Sequence, residues 1–172
     1  MSQLKKPQRV KLFFSLLYRD FSICESVLDL FHKKWGAVDS AHHQIPFLHT
    51  TYYEEEFGKR LERSILSFEK LIERDQLIEA KLWAVQMENQ LANDKGNRTL
   101  NVDPGYVTDY QVVLATGKNY SHRIYLDRGV FADLTLVYRD GKYQALPWTY
   151  PDYSEEPLQG IFKKLRKAYL SV

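Results

Sequence analysis

Apolar and polar positions alternate along the chain with two different periods, and these periods predict a mixture of strands and helices. The first apolar run, LFFSLL, is dense enough for a strand that is buried on both faces, and we predict this strand at Arg9 to Tyr18. A helix is expected next, with a capping box at Ser22 and Glu25 and an end at Gly36. Its apolar face repeats every four residues and comprises Ile23, Val27, Phe31 and Trp35.

The pattern in the middle of the chain predicts two strands, a second helix and a further strand. We expect strands at residues 41–48 and 63–72, although the imperfect alternation of the second also fits a helix. Asp75 is the expected cap of the second helix, and the polar segment 93–97 ends it before a strand that begins near Leu100. The apolar face of that helix comprises Ile78, Leu82 and Val85.

The order of these elements predicts the fold class. Strand, helix, strand, strand, helix, strand is the order of a ferredoxin-like βαββαβ sandwich, in which helices cover one face of an antiparallel sheet. Strands at 122–127, 130–138 and 143–146 extend the sheet as a meander, with a hairpin turn at Asp140-Gly141. A terminal helix has an apolar face comprising Leu158, Ile161, Phe162, Leu165 and Tyr169. We therefore predict a single α+β domain over residues 1–172.

Composition narrows the class of protein. The 172 residues are 44% hydrophobic and 27% charged, which is typical of one globular domain. A formal net charge of +2 is too small to indicate nucleic acid or a membrane surface by itself. No stretch approaches the roughly 20 apolar residues of a membrane span, and the only cysteine, Cys24, has no internal partner for a disulfide. These features predict a cytoplasmic protein with no membrane contact.

Five sequence blocks in a fixed order resemble the bacterial domain-of-unknown-function family four-four-one-six (DUF4416). The blocks are Ser67–Ile72, Asn101–Tyr106, Leu114–Lys118, Tyr120–Leu126 and Trp148–Tyr153. The resemblance implies a bacterial cytosolic protein without an established activity. Some members are labelled GTP-binding protein, which implies nucleotide or phosphate binding. The segment 115–119 nevertheless lacks the first glycine and the hydroxyl residue of a phosphate-binding P-loop.

Polar and catalytic residue types are concentrated in the segment 98–126. We expect Asp103-Pro-Gly-Tyr106 to form a turn at a strand end, where Gly105 and Tyr106 present backbone groups to a ligand. Lys118 and Arg123 are close enough in sequence to converge on a phosphate or carboxylate beside that turn. A reaction in this site would use His122 as acid or base, with Asp103 orienting a group or a metal.

Two further acids are candidate ligand-binding residues. Asp133 lies on the strand after His122, where it can orient the imidazole or face solvent as one residue of an alternating strand. Asp152 lies in the aromatic segment 148–153, which either walls a pocket or docks the terminal helix. His42, His43, His49 and His122 do not have the spacing of a metal motif, so we predict no metal site and identify no cofactor.

Two functions from different classes follow from these observations. The first is binding, with or without transformation, of a small anionic ligand that carries a phosphate or carboxylate group. The second is an RNA-binding or protein-interaction module on a sheet whose aromatic residues stack bases, with Tyr125, Phe131 and Tyr138 as the aromatic set. Residues 128–131 resemble the start of an RNA-recognition signature, but Val130 and Ala132 stand where it has aromatic residues. A concave polar pocket would favour the first function, and an open aromatic face the second.

Overall fold

A computed structural model describes residues 3–48, 60–94 and 96–172 of the chain. These residues form three α-helices, a short 3-10 helix and eight strands of one antiparallel sheet, so the chain is an α+β protein as predicted. The strands are β1 (Lys11–Tyr18), β2 (Val38–Phe47), β3 (Leu61–Phe68), β4 (Leu100–Val107), β5 (Gln111–Thr116), β6 (Arg123–Asp127), β7 (Val130–Arg139) and β8 (Lys142–Ala145). The helices are α1 (Phe21–Trp35), α2 (Gln76–Gln90), α3 (Leu158–Leu170) and the 3-10 helix Pro151–Ser154.

The sheet is ordered β2-β3-β1-β4-β5-β7-β6, and β8 pairs with β7. β6 lies against the first half of β7 and β8 against the second half, where Leu136 pairs with Ala145. β1 is an interior strand that pairs with β3 on one side and β4 on the other, and all eight of its residues are buried. A strand that has helices on both faces needs apolar side chains on both, which explains the dense apolar run of β1, in which Ser15 is the one polar residue between Leu12 and Leu17.

Two separate apolar layers cover the two faces of the sheet. On one face, the even-numbered residues of β1 pack with α1 and α2, and the ring of Phe14 lies 4.9 Å from Phe31 and 5.7 Å from Trp83. On the other face, Phe13 packs with α3, with its ring 5.1 Å from Phe162. Successive side chains of a strand point to opposite faces, so neighbouring residues of β1 serve different layers.

The local predictions are confirmed best where one apolar face dominates an element. α3 buries the five predicted residues, and α1 buries three of its four predicted residues and ends at Gly36, whose φ is 98°. The start of α1 differs, because Asp20 rather than Ser22 is the cap and accepts a hydrogen bond from the Ser22 amide. No helix within the described ranges has the length and apolar character needed to cross a lipid bilayer.

The middle of the chain departs from prediction in two elements. α2 turns a different face to the core from the predicted one, and Val85 is 40% exposed. Its buried residues are Leu77, Ala80, Lys81, Ala84, Met87 and Glu88. Small alanines allow close packing there, and the two charged residues reach polar partners on β4. β5 was not predicted, because its apolar run Val112–Ala115 is short and continues directly into a polar turn.

The predicted turn at residues 103–106 is wrong, since these residues are part of β4 and pair with β1. Gly105 is required there for space and not for a left-handed backbone. A Cβ atom at Gly105 would lie 2.5 Å from Cζ of Phe13 and 2.6 Å from the carbonyl oxygen of Val113. Glycine therefore allows the Phe13 ring to cross directly over β4.

We expect Gly105→Ala to lower the free energy of unfolding by about 1–3 kcal/mol, since the new methyl group forces Phe13 and the β5 backbone to shift. Gly117→Ala is the matched control, because a Cβ atom at Gly117 meets nothing within 4 Å. Urea unfolding of both variants measures the difference. Equal stability of the two variants would show that the contact of Phe13 with Gly105 does not constrain the fold.

Candidate functional site

A deep cleft lies where β4 and β5 separate. The two strands pair only through Gly105–Val107 and Val112–Leu114, and the first half of β4 has no strand beside it on that edge. A pocket of about 560 Å³ opens between this half of β4 and the end of β5. Side chains from α2, β3, β6, β7 and the 3-10 helix complete its walls.

Side chains of α2 satisfy the backbone groups that the missing strand leaves without partners. The amide of Val102 donates to Oε1 of Glu88 at 2.6 Å, and its carbonyl accepts from Nζ of Lys81 at 3.2 Å. Pro104, two residues further on, faces the same edge by strand alternation and has no amide hydrogen to satisfy. At Val102 and Pro104 the sheet can therefore open without leaving an amide hydrogen unpaired.

Asp103 lies at the centre of a polar network on the β4 side of the pocket. Its Oδ1 accepts from Nζ of Lys81 at 2.9 Å, and its Oδ2 accepts from Nδ2 of Asn101 at 2.6 Å. Arg98 extends the network by donating to Oδ1 of Asn101 at 2.8 Å. Burial opposes ionisation of Asp103, but the charge of Lys81 and the two hydrogen bonds outweigh burial and lower the pKa of Asp103.

The pKa of Glu88 is shifted in the opposite direction to that of Asp103. Burial raises its pKa above the ordinary value, although Lys81 and the Val102 amide both favour the ionised form. Its second oxygen lies 3.7 Å from Nη1 of Arg98. The pocket thus contains two carboxyl groups whose pKa values are shifted in opposite directions, that of Asp103 downward and that of Glu88 upward.

Arg63 forms the opposite wall together with the 3-10 helix. Its Nη2 donates to Oδ2 of Asp152 at 2.6 Å, and its Nη1 donates to the hydroxyl groups of Tyr153 and Ser15. The rings of Phe47 and Tyr153 flank the guanidinium, with centroids 5.1 and 5.2 Å from Cζ. The sequence signal for this residue is a charged side chain at the start of the predicted strand at residues 63–72.

Arg123 anchors the third wall. It pairs across β6 and β7 with Asp133, whose Oδ2 accepts from Nε at 2.8 Å. Its Nη1 donates to the carbonyl oxygen of Lys118 at 3.0 Å, and its guanidinium lies 4.7 Å from the Tyr120 ring. Its Nη2 lies 3.4 Å from the hydroxyl of Tyr150. Arg123 thereby ties the segment that follows β5 to the sheet and to Tyr150, the residue before the 3-10 helix.

His122 lies outside the pocket lining. Its imidazole is stacked between the rings of Tyr120 and Trp148, with interplanar angles of 10° and 12°. Nε2 is buried 3.4 Å from Oδ2 of Asp133 and makes no hydrogen bond. Asp133 thus lies beside both His122, its predicted partner, and Arg123, and the hydrogen bond that it accepts comes from Arg123, its cross-strand neighbour.

The structure brings together five of the eight predicted site residues and leaves three outside the pocket lining. Asp103, Lys118, Arg123, Asp133 and Asp152 line the pocket. His122, Gly105 and Tyr106 do not. Tyr106 points into the layer of α1 and α2, where the guanidinium of Arg74 lies 6.0 Å from its ring.

Four charged residues of the pocket were missed. They are Arg63, Lys81, Glu88 and Arg98. On α2 the missed signal was a lysine and a glutamate on the same face as the buried alanines.

The histidines were also considered as metal ligands, and one of them, His49, lies outside the described residues. Within the described ranges, no three His, Cys, Asp or Glu residues are grouped so that they could hold a metal ion.

The three aromatic residues of the RNA hypothesis do not form one surface. Tyr125 and Phe131 are neighbours on β6 and β7, with their rings 5.3 Å apart. Tyr138 lies at the other end of β7, and the guanidinium of Arg166 from α3 covers its ring at 3.6 Å.

The chain matches one family model over residues 8–169, and the description of that family is "Domain of unknown function (DUF4416)". No curated protein and no solved structure shows a significant match to the chain. The geometry of the pocket is therefore the basis for a functional proposal.

We expect Asp103→Asn to lower the free energy of unfolding by about 1–2 kcal/mol at pH 7, because Lys81 loses a charged partner in a partly buried site. A carboxyl whose pKa is lowered by folding stabilises the protein above its unfolded pKa of about 3.9, and this contribution is lost as the pH falls through the folded value. The advantage of the wild type should therefore shrink in acid.

Chemical denaturation between pH 3 and pH 8 measures this difference. Asp94→Asn is the control, because Asp94 is exposed and makes no contact with the network. A stability difference for Asp103→Asn that stays constant across this pH range would contradict the lowered pKa.

Proposed function

The chain belongs to the domain-of-unknown-function family DUF4416, and we propose that it binds a small ligand that carries a phosphate or carboxylate group. The ligand lies in the pocket between β4 and β5. Binding is the proposed function, and any transformation of the ligand would draw on Asp103 and Glu88, the two carboxyl groups with opposed pKa shifts.

The observation that carries this proposal is the convergence of five cationic residues from five different segments of the chain. They are Arg63, Lys81, Arg98, Lys118 and Arg123. Four acidic residues also line the pocket, so cations outnumber acids by one. Arginine and lysine are the residues that bind phosphate and carboxylate groups through charge-assisted hydrogen bonds.

The size of the pocket supports an organic ligand. Its volume of about 560 Å³ is within the range of roughly 300–1,000 Å³ that is usual for small-molecule sites, and it greatly exceeds the space that one phosphate ion needs. Aromatic side chains of Phe47, Tyr120, Tyr150 and Tyr153 supply apolar lining beside the charges. The ligand thus has an organic body in addition to its anionic group.

We also infer that the first four strands, with α1 and α2, form a ferredoxin-like unit. The order β2-β3-β1-β4 with antiparallel neighbours supports this assignment, as does the packing of both helices against one face of the sheet. In this arrangement the pocket lies at the outer edge of the unit, where β4 meets the additional strands.

We expect Lys118→Ala to weaken the binding of anionic ligands by about tenfold, or roughly 1.4 kcal/mol, because one cation at the rim of the pocket is removed. Isothermal titration calorimetry with pyrophosphate, citrate and glucose 6-phosphate measures the loss. Lys142→Ala is the matched control, since Lys142 is an exposed lysine on β8 that does not line the pocket. Affinity should also fall as the salt concentration rises.

Two results would reject the proposal. One is that none of the three anions binds to the wild-type protein. The other is that Lys118→Ala and Lys142→Ala bind all three anions as tightly as the wild type does.

A further inference from the structure

Four cations of the pocket lie in pairs with acids. Three close pairs and one longer pair line the walls: Arg63 with Asp152 at 2.6 Å, Lys81 with Asp103 at 2.9 Å, Arg123 with Asp133 at 2.8 Å and Arg98 with Glu88 at 3.7 Å. A ligand that carries only negative charge would be repelled by the acid of each pair. The ligand that fits must therefore offer hydrogen-bond donors to the acids as well as an anionic group to the cations.

Asp103 is the acid with the clearest capacity for such a donor. A carboxylate has about four positions at which its two oxygens accept hydrogen bonds, and Lys81 and Asn101 each occupy one of them. The Asp103 side chain is 32% exposed, and it lines the pocket. Since it is held ionised, it can accept hydrogen bonds but cannot donate them.

A neutral hydrogen-bond donor on the ligand suits Asp103 better than a charged donor does. An ammonium group placed against Asp103 would also lie near the Lys81 ammonium, which is only 2.9 Å from the same carboxylate, and the two cations would repel each other. A hydroxyl group donates to the carboxylate without this repulsion. The same reasoning applies to Asp152, whose Oδ2 is 2.6 Å from the guanidinium of Arg63.

Tyrosine rings at the rim suit the body of a hydroxylated ligand. Tyr120 is 57% exposed and Tyr150 is 49% exposed, and both line the pocket next to Arg123. A sugar ring presents hydroxyl groups at its edge and C–H groups on its faces, so it can donate to carboxylates while its faces pack on aromatic side chains. A hydroxyl-free anion would use only the cations and the rings.

We propose that the ligand is a polyhydroxylated anion of the sugar phosphate or sugar acid class, with its anionic group near Lys118 and Arg123 and its hydroxyl groups donating to Asp103 and Asp152. This inference rests on the proposed binding of an anionic ligand and specifies the chemistry of that ligand's uncharged part. Phosphate and carboxylate share the same cations, so the experiment includes both.

The test is a calorimetric comparison of matched ligands on the wild-type chain. Glucose 6-phosphate and glucuronate carry hydroxyl groups with a phosphate or a carboxylate. Cyclohexylmethyl phosphate has a ring of the same size without hydroxyl groups, and glucosamine 6-phosphate replaces one hydroxyl with an ammonium group. We expect at least one of the two hydroxylated anions to bind ten times more tightly than cyclohexylmethyl phosphate, and glucosamine 6-phosphate to bind more weakly than glucose 6-phosphate.

Substitutions of the two acids test where the hydroxyl groups of the ligand bind. Asp103→Asn should weaken the better hydroxylated anion about tenfold, whereas the affinity for cyclohexylmethyl phosphate should not fall, because the variant removes a negative charge that repels it. Asp152→Asn provides a second variant on the opposite wall, and the exposed Asp94→Asn is the control that should bind like the wild type. The ligand comparison on the wild type decides the question even if one of the variants fails to fold.

The outcomes separate this inference from the proposed function. If cyclohexylmethyl phosphate binds as tightly as the hydroxylated anions, or if glucosamine 6-phosphate binds most tightly, the pocket does not select hydroxyl groups and only the inference is overturned. If none of the anions binds, the proposed function is overturned together with it.

Discussion

The pocket exists because side chains of α2 replace a neighbouring strand as hydrogen-bond partners at one edge of β4. A sheet cannot open in its interior unless every buried amide and carbonyl group at the opening finds another partner. Here Glu88 and Lys81 of α2 bond to the amide and carbonyl of Val102 in place of a neighbouring strand. Pro104, the next residue that faces this edge, has no amide hydrogen that needs a partner. The charged face of α2 is therefore a structural requirement of the same opening that creates the pocket.

This arrangement couples the fold to the electrostatics of the site. Lys81 bonds to a backbone carbonyl and to Asp103 at once, so the group that satisfies the sheet also holds the carboxylate ionised. Arg63 is held in the same manner by Ser15 of β1 and by Asp152. Charged side chains that are fixed in this way lose little further freedom when a ligand binds, which favours affinity.

Sequence patterns predicted the elements whose apolar residues are arranged most clearly: α1 and α3 each have one apolar face with a helical period, and β1 has an apolar run that is dense enough to be buried on both faces. They failed for α2 and β5. α2 buries alanines and two charged residues whose partners are on β4, and β5 is a short strand whose stability comes from its neighbours β4 and β7. The period of an element does not reveal such partners.

The sequence by itself determined that the chain is an α+β protein, that it resembles DUF4416, and that polar chemistry is concentrated around residues 98–126. Only the tertiary structure decided which of these residues meet. Asp103, Arg123 and Asp152 come together with Arg63 and Lys81, which are distant in sequence. His122 is instead stacked between Tyr120 and Trp148, and although its Nε2 lies 3.4 Å from Oδ2 of Asp133, the hydrogen bond of Asp133 goes to Arg123. Contacts between distant segments depend on strand pairing and register, and local periodicity does not encode them.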